Sequence, residues 1–188
     1  VQEKEMSGDS TMAVRPLFQE EGDGAKPISP LQLILFECTQ SLFVHLNSMW
    51  HSRLPDAGGF YGNGVFFAAE YANAYYATAA WSVPIAIAFN GKPYLELRRF
   101  AISSQAPKNT ASRLLSVMVR MIRKKYPNIE RLISYQDTAV HNGTIYKAQG
   151  WKATRISKAG EQNWVKTHPR ASARLQTDTS KIRWELPL

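Results

Sequence analysis

The sequence has 188 residues, with 23 Lys+Arg against 15 Asp+Glu and a formal net charge of +8. At 44 % hydrophobic and 11 % aromatic it can bury a core, which excludes wholesale disorder. The single cysteine, Cys38, excludes a disulfide framework and a Cys-rich zinc site. No window approaches the roughly 18 apolar residues of a membrane span. The opening VQEKEMSGDS shows neither the basic nor the apolar region of a secretory signal. These features predict a cytoplasmic α/β protein: a flexible acidic leader over 1–28, then one domain over 29–188 with a basic C-terminal extension.

In chain order, LQLILFEC from Leu31 reads as a buried strand, and Thr39 as the cap of a helix running to about Trp50. Phe43, Leu46 and Trp50 share one face of that helix, and Pro55 with Gly58-Gly59 ends the unit. GVFFAAEY and AYYATAAW are aromatic-rich strands joined by a turn at Asn73. Asn90-Gly91 is a turn signal, and YLELRRFAIS after it alternates as a strand. On that strand Arg98 and Arg99 are expected to point to opposite faces.

SQAPKN is a loop, Asn109 or Thr110 a cap, and ASRLLSVMVRMIRKKY an amphipathic helix. Its apolar face comprises Leu114, Leu115, Val117, Met118, Met121 and Ile122, and Pro127-Asn128 stops it. RLISYQ is a strand and GTIYKAQ a short helix ending at Gly150. A strand follows over Trp151–Ile156, then an irregular stretch over 157–180, and IRWEL is a candidate closing strand. The order is β-α-β-β-β-α-β-α-β.

The charge is concentrated. Residues 96–125 hold eight basic side chains against Glu96 alone, and residues 147–188 hold nine against three acids. The first block includes Arg120, Arg123, Lys124 and Lys125 at a helix end, where cations also suit the helix dipole. Such blocks suit an acidic partner, either nucleic acid or a phosphate-bearing cofactor.

A strand leading through a loop into a helix start offers free backbone N–H groups to a pyrophosphate. Here that loop is Gln105–Ser112, with Lys108 and Arg113 adjacent. Together with Tyr146-Lys147-Ala148-Gln149-Gly150-Trp151, this layout resembles the GCN5-related N-acetyltransferase superfamily, in which that helix cradles the CoA pyrophosphate. The superfamily's glycine-bearing loop is replaced by Ala106-Pro107-Lys108-Asn109-Thr110-Ala111-Ser112. More closely, LELRRFAISSQAPKNTASRLL, RKKYP, RLISYQDT and HNGTIYKAQGW resemble the Mom family of phage DNA-modification proteins. That likeness covers about 95–152, with a looser one in Trp50-His51-Ser52-Arg53-Leu54-Pro55.

The resemblance implies an acetyltransferase-like mixed sheet flanked by helices, acetyl-CoA as cofactor and double-stranded DNA as partner. It implies transfer of an acetyl-CoA-derived, amide-bearing group to N6 of adenine (methylcarbamoylation), protecting phage DNA from restriction. Ala106, Lys108, Asn109, Thr110, Ala111, Ser112 and Arg113 would hold the cofactor, and Tyr146 would protonate the departing thiolate. Asp137 either accepts a proton from the adenine amine or caps a turn with Thr138. His51 belongs to the acceptor wall or ligates a metal, and Arg99 lines the cleft. His141 is near Asp137 in sequence, while His45 stands six residues from His51, a spacing that makes no helical metal pair. Arg53, Arg120, Arg123, Lys124, Lys125, Lys147, Arg170 and Arg174 are the candidate DNA contacts. Tyr61, Phe66, Phe67, Tyr71, Tyr75 and Tyr76 either stack a base or fill the core. The other reading of the same residues is an ordinary acetyl-CoA-dependent N-acetyltransferase acting on a small amine or peptide.

Overall fold

Seven strands and three helices make up the computed structural model, which describes residues 26–56, 64–158 and 179–188. The strands are β1 (Ile34–Glu37), β2 (Val65–Tyr71), β3 (Ala74–Ser82), β4 (Tyr94–Ile102), β5 (Arg131–Asp137), β6 (Lys152–Ser157) and β7 (Lys181–Pro187). The helices are α1 (Gln40–Trp50), α2 (Thr110–Lys125) and α3 (Thr144–Lys147). The acidic leader up to residue 25, Gly58-Gly59, Tyr61, Arg170 and Arg174 lie outside the described residues.

The sheet order is β1-β2-β3-β4-β5-β7-β6, with β4–β5 parallel and every other pair antiparallel. A parallel pair needs a crossover, and the amphipathic α2 supplies it. Its buried stripe is Leu114, Leu115, Met118, Val119 and Ile122, so Val119 takes the buried place expected of Val117. Leu115, Met118, Val119 and Ile122 meet Leu95, Leu97, Trp81 and Leu132 in the main core, and Leu114 packs with Leu33, Ala69, Tyr76 and Ala77. Each fully buried aliphatic of this kind contributes about 1.5–3 kcal/mol. On the opposite face α1 is capped by Thr39, whose side chain accepts from the Leu42 amide, and it buries Phe43, Leu46 and Asn47. Phe43 stacks on Phe66 there, beside Ala80.

Two expectations change and a third gains its place in the sheet. Pro30–Gln32 forms a 3-10 turn, so the first strand is only Ile34–Glu37, a half-exposed edge with Ile34 64 % exposed. The closing strand expected at IRWEL forms as β7, which inserts between β5 and β6 and buries Trp184. Arg98 and Arg99 do not alternate. Trp81 pairs with Leu97 and Ala80 with Arg99, so a bulge at Arg98 shifts the phase. Leu97 and Phe100 both pack into the α2-side core, which leaves both arginines to the α1 face. There Arg98 Nε lies 3.3 Å from Glu96 Oε1.

Candidate active site

The β4–β5 ladder runs only from Tyr94/Arg131 to Leu97/Ser134. Beyond it β4 stays with β3 and β5 stays with β7, so the sheet opens into two halves at their C-terminal ends. Open α/β sheets place ligands at such a divergence. Residues from both faces gather around it.

On the α2 side, the chain leaves β4 through Ser103–Asn109 and enters α2. Asn109 sits at the N-cap with φ +66°, a left-handed conformation that asparagine tolerates better than most residues, in place of the missing glycine. Its side chain makes no capping bond, and Thr110 Oγ1 donates to the Pro107 carbonyl instead, so neither caps the helix through its side chain. The amides of Lys108, Asn109, Ala111 and Ser112 donate to no group among the described residues. They are donors at a positive helix end, and Lys108 beside them is exposed. Gln149 Nε2 donates to the Ser112 carbonyl at 2.9 Å, joining the α3 end to this turn. Four unpartnered amides at a helix start, with Lys108 and Arg113 adjacent, are donors of the kind that bind phosphate. Ala106 packs against the Leu114 cluster.

Tyr146 lies at the divergence. Its hydroxyl is 2.8 Å from Ser134 Oγ, its ring stacks on Trp184 at 5.3 Å, and it meets Trp151 edge-on at 5.5 Å. Burial pushes the phenol pKa up, so it stays protonated, while the Ser134 hydrogen bond opposes that shift. A neutral buried phenol can donate a proton but is a poor base. Gly143, at φ +75°, starts α3 where a Cβ would meet Gln136 Oε1 at 2.5 Å and Trp184 Cζ2 at 2.8 Å. Gln136 Oε1 in turn accepts from Trp184 Nε1 at 2.7 Å.

The α1 face carries the second group. His51 caps the α1 C-terminus, and its Nδ1 accepts from the Leu54 amide at 3.2 Å. Burial, followed by the charges of Arg99 and His141, pulls its pKa down to about 4. The imidazole is therefore neutral at pH 7 with its proton on Nε2, which makes that nitrogen a donor. That state leaves no free ring lone pair for a metal. Among the described residues no three His, Cys, Asp or Glu side chains are grouped to hold one. Arg99 is half-buried; burial and then neighbouring Arg98 lower its pKa to about 10, and Nη1 donates to the Arg98 carbonyl at 2.8 Å. Asp56 also acts on Arg99 electrostatically, which brings the segment after α1 to the same place.

Asp137 ends β5. One carboxylate oxygen accepts from the Ala139 amide at 2.9 Å, so it does cap the turn, but through Ala139 and not Thr138. Thr138 Oγ1 donates to the Ser180 carbonyl instead. Lys181, directly opposite Asp137 in the β5–β7 ladder, supplies the nearby positive charge.

His51, Arg99 and His141 thus come together, with Tyr146 on the other side of the sheet opening. Arg53 follows His51 in the same loop. Arg120, Arg123, Lys124 and Lys125 do not join them: they occupy the last turns of α2, about 15–22 Å along the helix from its start. Lys125 pairs there with the Glu37 carboxylate. Lys147 is exposed on α3. Phe66, Phe67 and Tyr76 are buried core, whereas Tyr71 and Tyr75 are half-exposed.

Ser134, Asn47 and Glu96 were not foreseen. Leu132, Ser134 and Gln136 share one strand face, so a polar residue at a core-facing position was the available signal for Ser134. Asn47 is fully buried and donates to the Leu54 and Pro55 carbonyls at 2.8 and 3.0 Å, holding the His51 loop. Glu96 is 7 % exposed and burial raises its pKa, with Arg98 opposing.

A seven-stranded sheet opened at its parallel β4–β5 pair, with α2 in the crossover, is the GCN5-related N-acetyltransferase fold. The chain is similar to a Bacillus subtilis acetyltransferase solved in complex with CoA, at 11 % identity and TM-score 0.58 over 84 % of this chain and 98 % of that one. An Elizabethkingia anophelis GNAT-family acetyltransferase with acetyl-CoA bound gives 15 % identity and TM-score 0.58, covering 84 % and 99 %. The Escherichia coli ribosomal-protein-S18-alanine N-acetyltransferase gives 13 % and 0.59, covering 82 % and 93 %. Within that fold, the chain belongs to the Mom protein family, whose profile matches residues 35–186. The match extends well beyond the 95–152 segment that carried the motifs. No curated protein is a significant sequence match.

Proposed function

We propose that this protein is an acyl-CoA-dependent transferase that places an acetyl-CoA-derived group on N6 of adenine in double-stranded DNA. The observation that carries the reading is the sheet opening between β4 and β5. It has free amides and a phenolic proton on one face, and a neutral histidine, an arginine and a carboxylate on the other. Membership of the Mom family supports DNA adenine as the acceptor.

Acetyl-CoA would supply an activated acyl carbon. The amides of Lys108, Asn109, Ala111 and Ser112, with the Lys108 and Arg113 side chains, would hold its phosphates. Tyr146 keeps its proton at pH 7 and could donate it to the thiolate that acetyl-CoA would release. An exocyclic adenine amine is a weak nucleophile because its lone pair is delocalised into the ring, so positioning and proton removal matter. Asp137 uses one oxygen for its turn and has the other to accept the amine proton. Neutral His51 has an Nε2 proton with which it would orient the acceptor, and Arg99 would supply positive charge to stabilise a developing acyl oxyanion. The step these residues would carry balances as acyl transfer: the N6–acyl bond forms, the acyl C–S bond breaks, the amine proton goes to Asp137 and CoA leaves as the thiol with the Tyr146 proton.

Mass spectrometry of nucleosides from DNA co-expressed with the protein tests this reading. A modified deoxyadenosine, absent with Tyr146→Phe, is expected. Turnover of acetyl-CoA with generic amines and unaltered DNA would replace it with an ordinary N-acetyltransferase.

A further inference from the structure

The β3–β4 connection, residues 83–93, exposes three β-branched aliphatic side chains within five residues: Val83 at 69 %, Ile85 at 66 % and Ile87 at 91 %. Isolated exposed apolar residues are ordinary, but a cluster of them marks a contact surface. This loop is also held firmly from beneath. The Ile85 amide donates to Glu96 Oε2 at 3.2 Å, and Glu96 is buried and paired with Arg98. Ile87–Phe89 forms a 3-10 turn, closed by the Asn90 amide on the Ile87 carbonyl at 3.0 Å. The Phe89 ring packs on Tyr94 at 5.7 Å and lies under the Arg183 guanidinium at 5.0 Å. The aliphatic side chains thus stand on a braced base.

The sheet beside the loop carries a basic excess: Arg183 is paired with Glu185 at 2.8 Å and Lys181 lies near Asp137 and Glu96, while Lys152 and Arg155 are exposed. Arg183 pairs with Arg155, Lys181 with Ser157 and Lys152 with Glu185 across β6–β7, so all four basic side chains share the face of Glu96 and Tyr135. Residues Lys152–Ile156 of β6 are exposed throughout. A second copy of this chain docked on the loop would bring like charges together. A DNA duplex offers the complement to both parts: phosphates for the cations and a base stack for the aliphatic tip. Glu96, which anchors Ile85, lies opposite Ser82 and Arg99 opposite Ala80, so with the Arg98 bulge between them they are about 7 Å apart along the sheet, or roughly two base steps.

We infer that Val83, Ile85 and Ile87 form an apolar wedge that enters the base stack of duplex DNA near the target adenine, while the β6–β7 cations hold the backbone. This deepens the DNA reading above and rests on it. An adenine inside a duplex must leave the stack before N6 can be reached, and an inserted wedge lowers that cost by unstacking a neighbouring step.

The test uses the full chain and a duplex carrying 2-aminopurine beside a target adenine. Wild type is expected to raise 2-aminopurine emission on binding. The Ile85→Ser/Ile87→Ser double variant should lose the rise, and its modification of duplex DNA should fall at least tenfold more than its modification of single strands. Ile85→Leu/Ile87→Leu, which keeps the apolar volume, should restore the emission. Circular dichroism and melting confirm that each variant is folded. Equal emission from the serine variant and wild type would overturn the wedge while leaving the DNA reading intact. A dimer that the serine variant dissolves, with no change in emission, would assign the loop to contact between copies. Absence of duplex binding by wild type would overturn the DNA reading and the wedge with it.

Discussion

Ser134 and Tyr146, twelve residues apart, place their hydroxyls 2.8 Å from each other at the point where β4 and β5 part. Both residues are buried, Ser134 at 2 % exposure and Tyr146 at 7 %. The pair locates a phenolic proton at the inner end of the opening. Tyr146→Phe should lower kcat about 100-fold if that proton goes to the leaving group. It should also cost about 1–3 kcal/mol of stability by leaving the Ser134 hydroxyl without its partner. Ser134→Ala should show a comparable stability loss with a much smaller kcat effect. Equal kcat losses from the two, read by acetyl-CoA turnover and urea unfolding, would assign the pair a packing role.

The neutral state of His51 has a pH signature. With a folded pKa near 4 against 6.5 unfolded, the unfolded chain binds more protons in that interval. The contribution of His51 to stability is therefore fully present above pH 6.5 and is lost as pH falls toward 4. His51→Asn, which keeps an acceptor near the Leu54 amide without titrating there, should show a shallower fall in Tm over that window. Nitrogen-15 chemical shifts should show protonated Nε2 and bare Nδ1 at pH 7. The opposite tautomer would reverse the donor role given to His51.

Asn47→Ala should cost about 2–4 kcal/mol, because two carbonyls, of Leu54 and Pro55, lose a buried donor. The same change should loosen the loop that supplies the Leu54 amide to His51, so the His51 pKa should move back toward 6.5. Thermal melting and a histidine NMR titration check the two effects separately.

Gly143→Ala should destabilise the fold by about 2–3 kcal/mol, since the added methyl meets Gln136 and Trp184 at a positive φ. Gly150→Ala serves as the control: its φ is also positive at +73°, but a Cβ there meets nothing within 4 Å. Comparable losses at both sites, read by denaturant midpoint, would assign the Gly143 effect to backbone conformation and not to the crowded Trp184–Gln136 contact.

The sequence by itself determined the order of elements, because local signals carry it: the Thr39 cap, the turn at Asn73, the 3.6-residue apolar period of α2 and the Gly143 and Gly150 stops around α3. It also determined the family, through motifs within single loops and helix starts. It placed Tyr146, the Asn109–Arg113 turn, His51 and Arg99 as site candidates. What only tertiary structure decided are relations between distant segments. The bulge at Arg98 depends on β3 pairing and turns an expected alternation into two arginines on one face. Insertion of β7 between β5 and β6 follows from long-range pairing that no local pattern encodes. The basic excess, +8 overall, divides accordingly. Sequence located its two blocks, but the fold sent Arg120–Lys125 to the far end of α2 and set Lys152, Arg155, Lys181 and Arg183 side by side on one sheet face. Charge adds along a chain, whereas a binding surface requires neighbours in space.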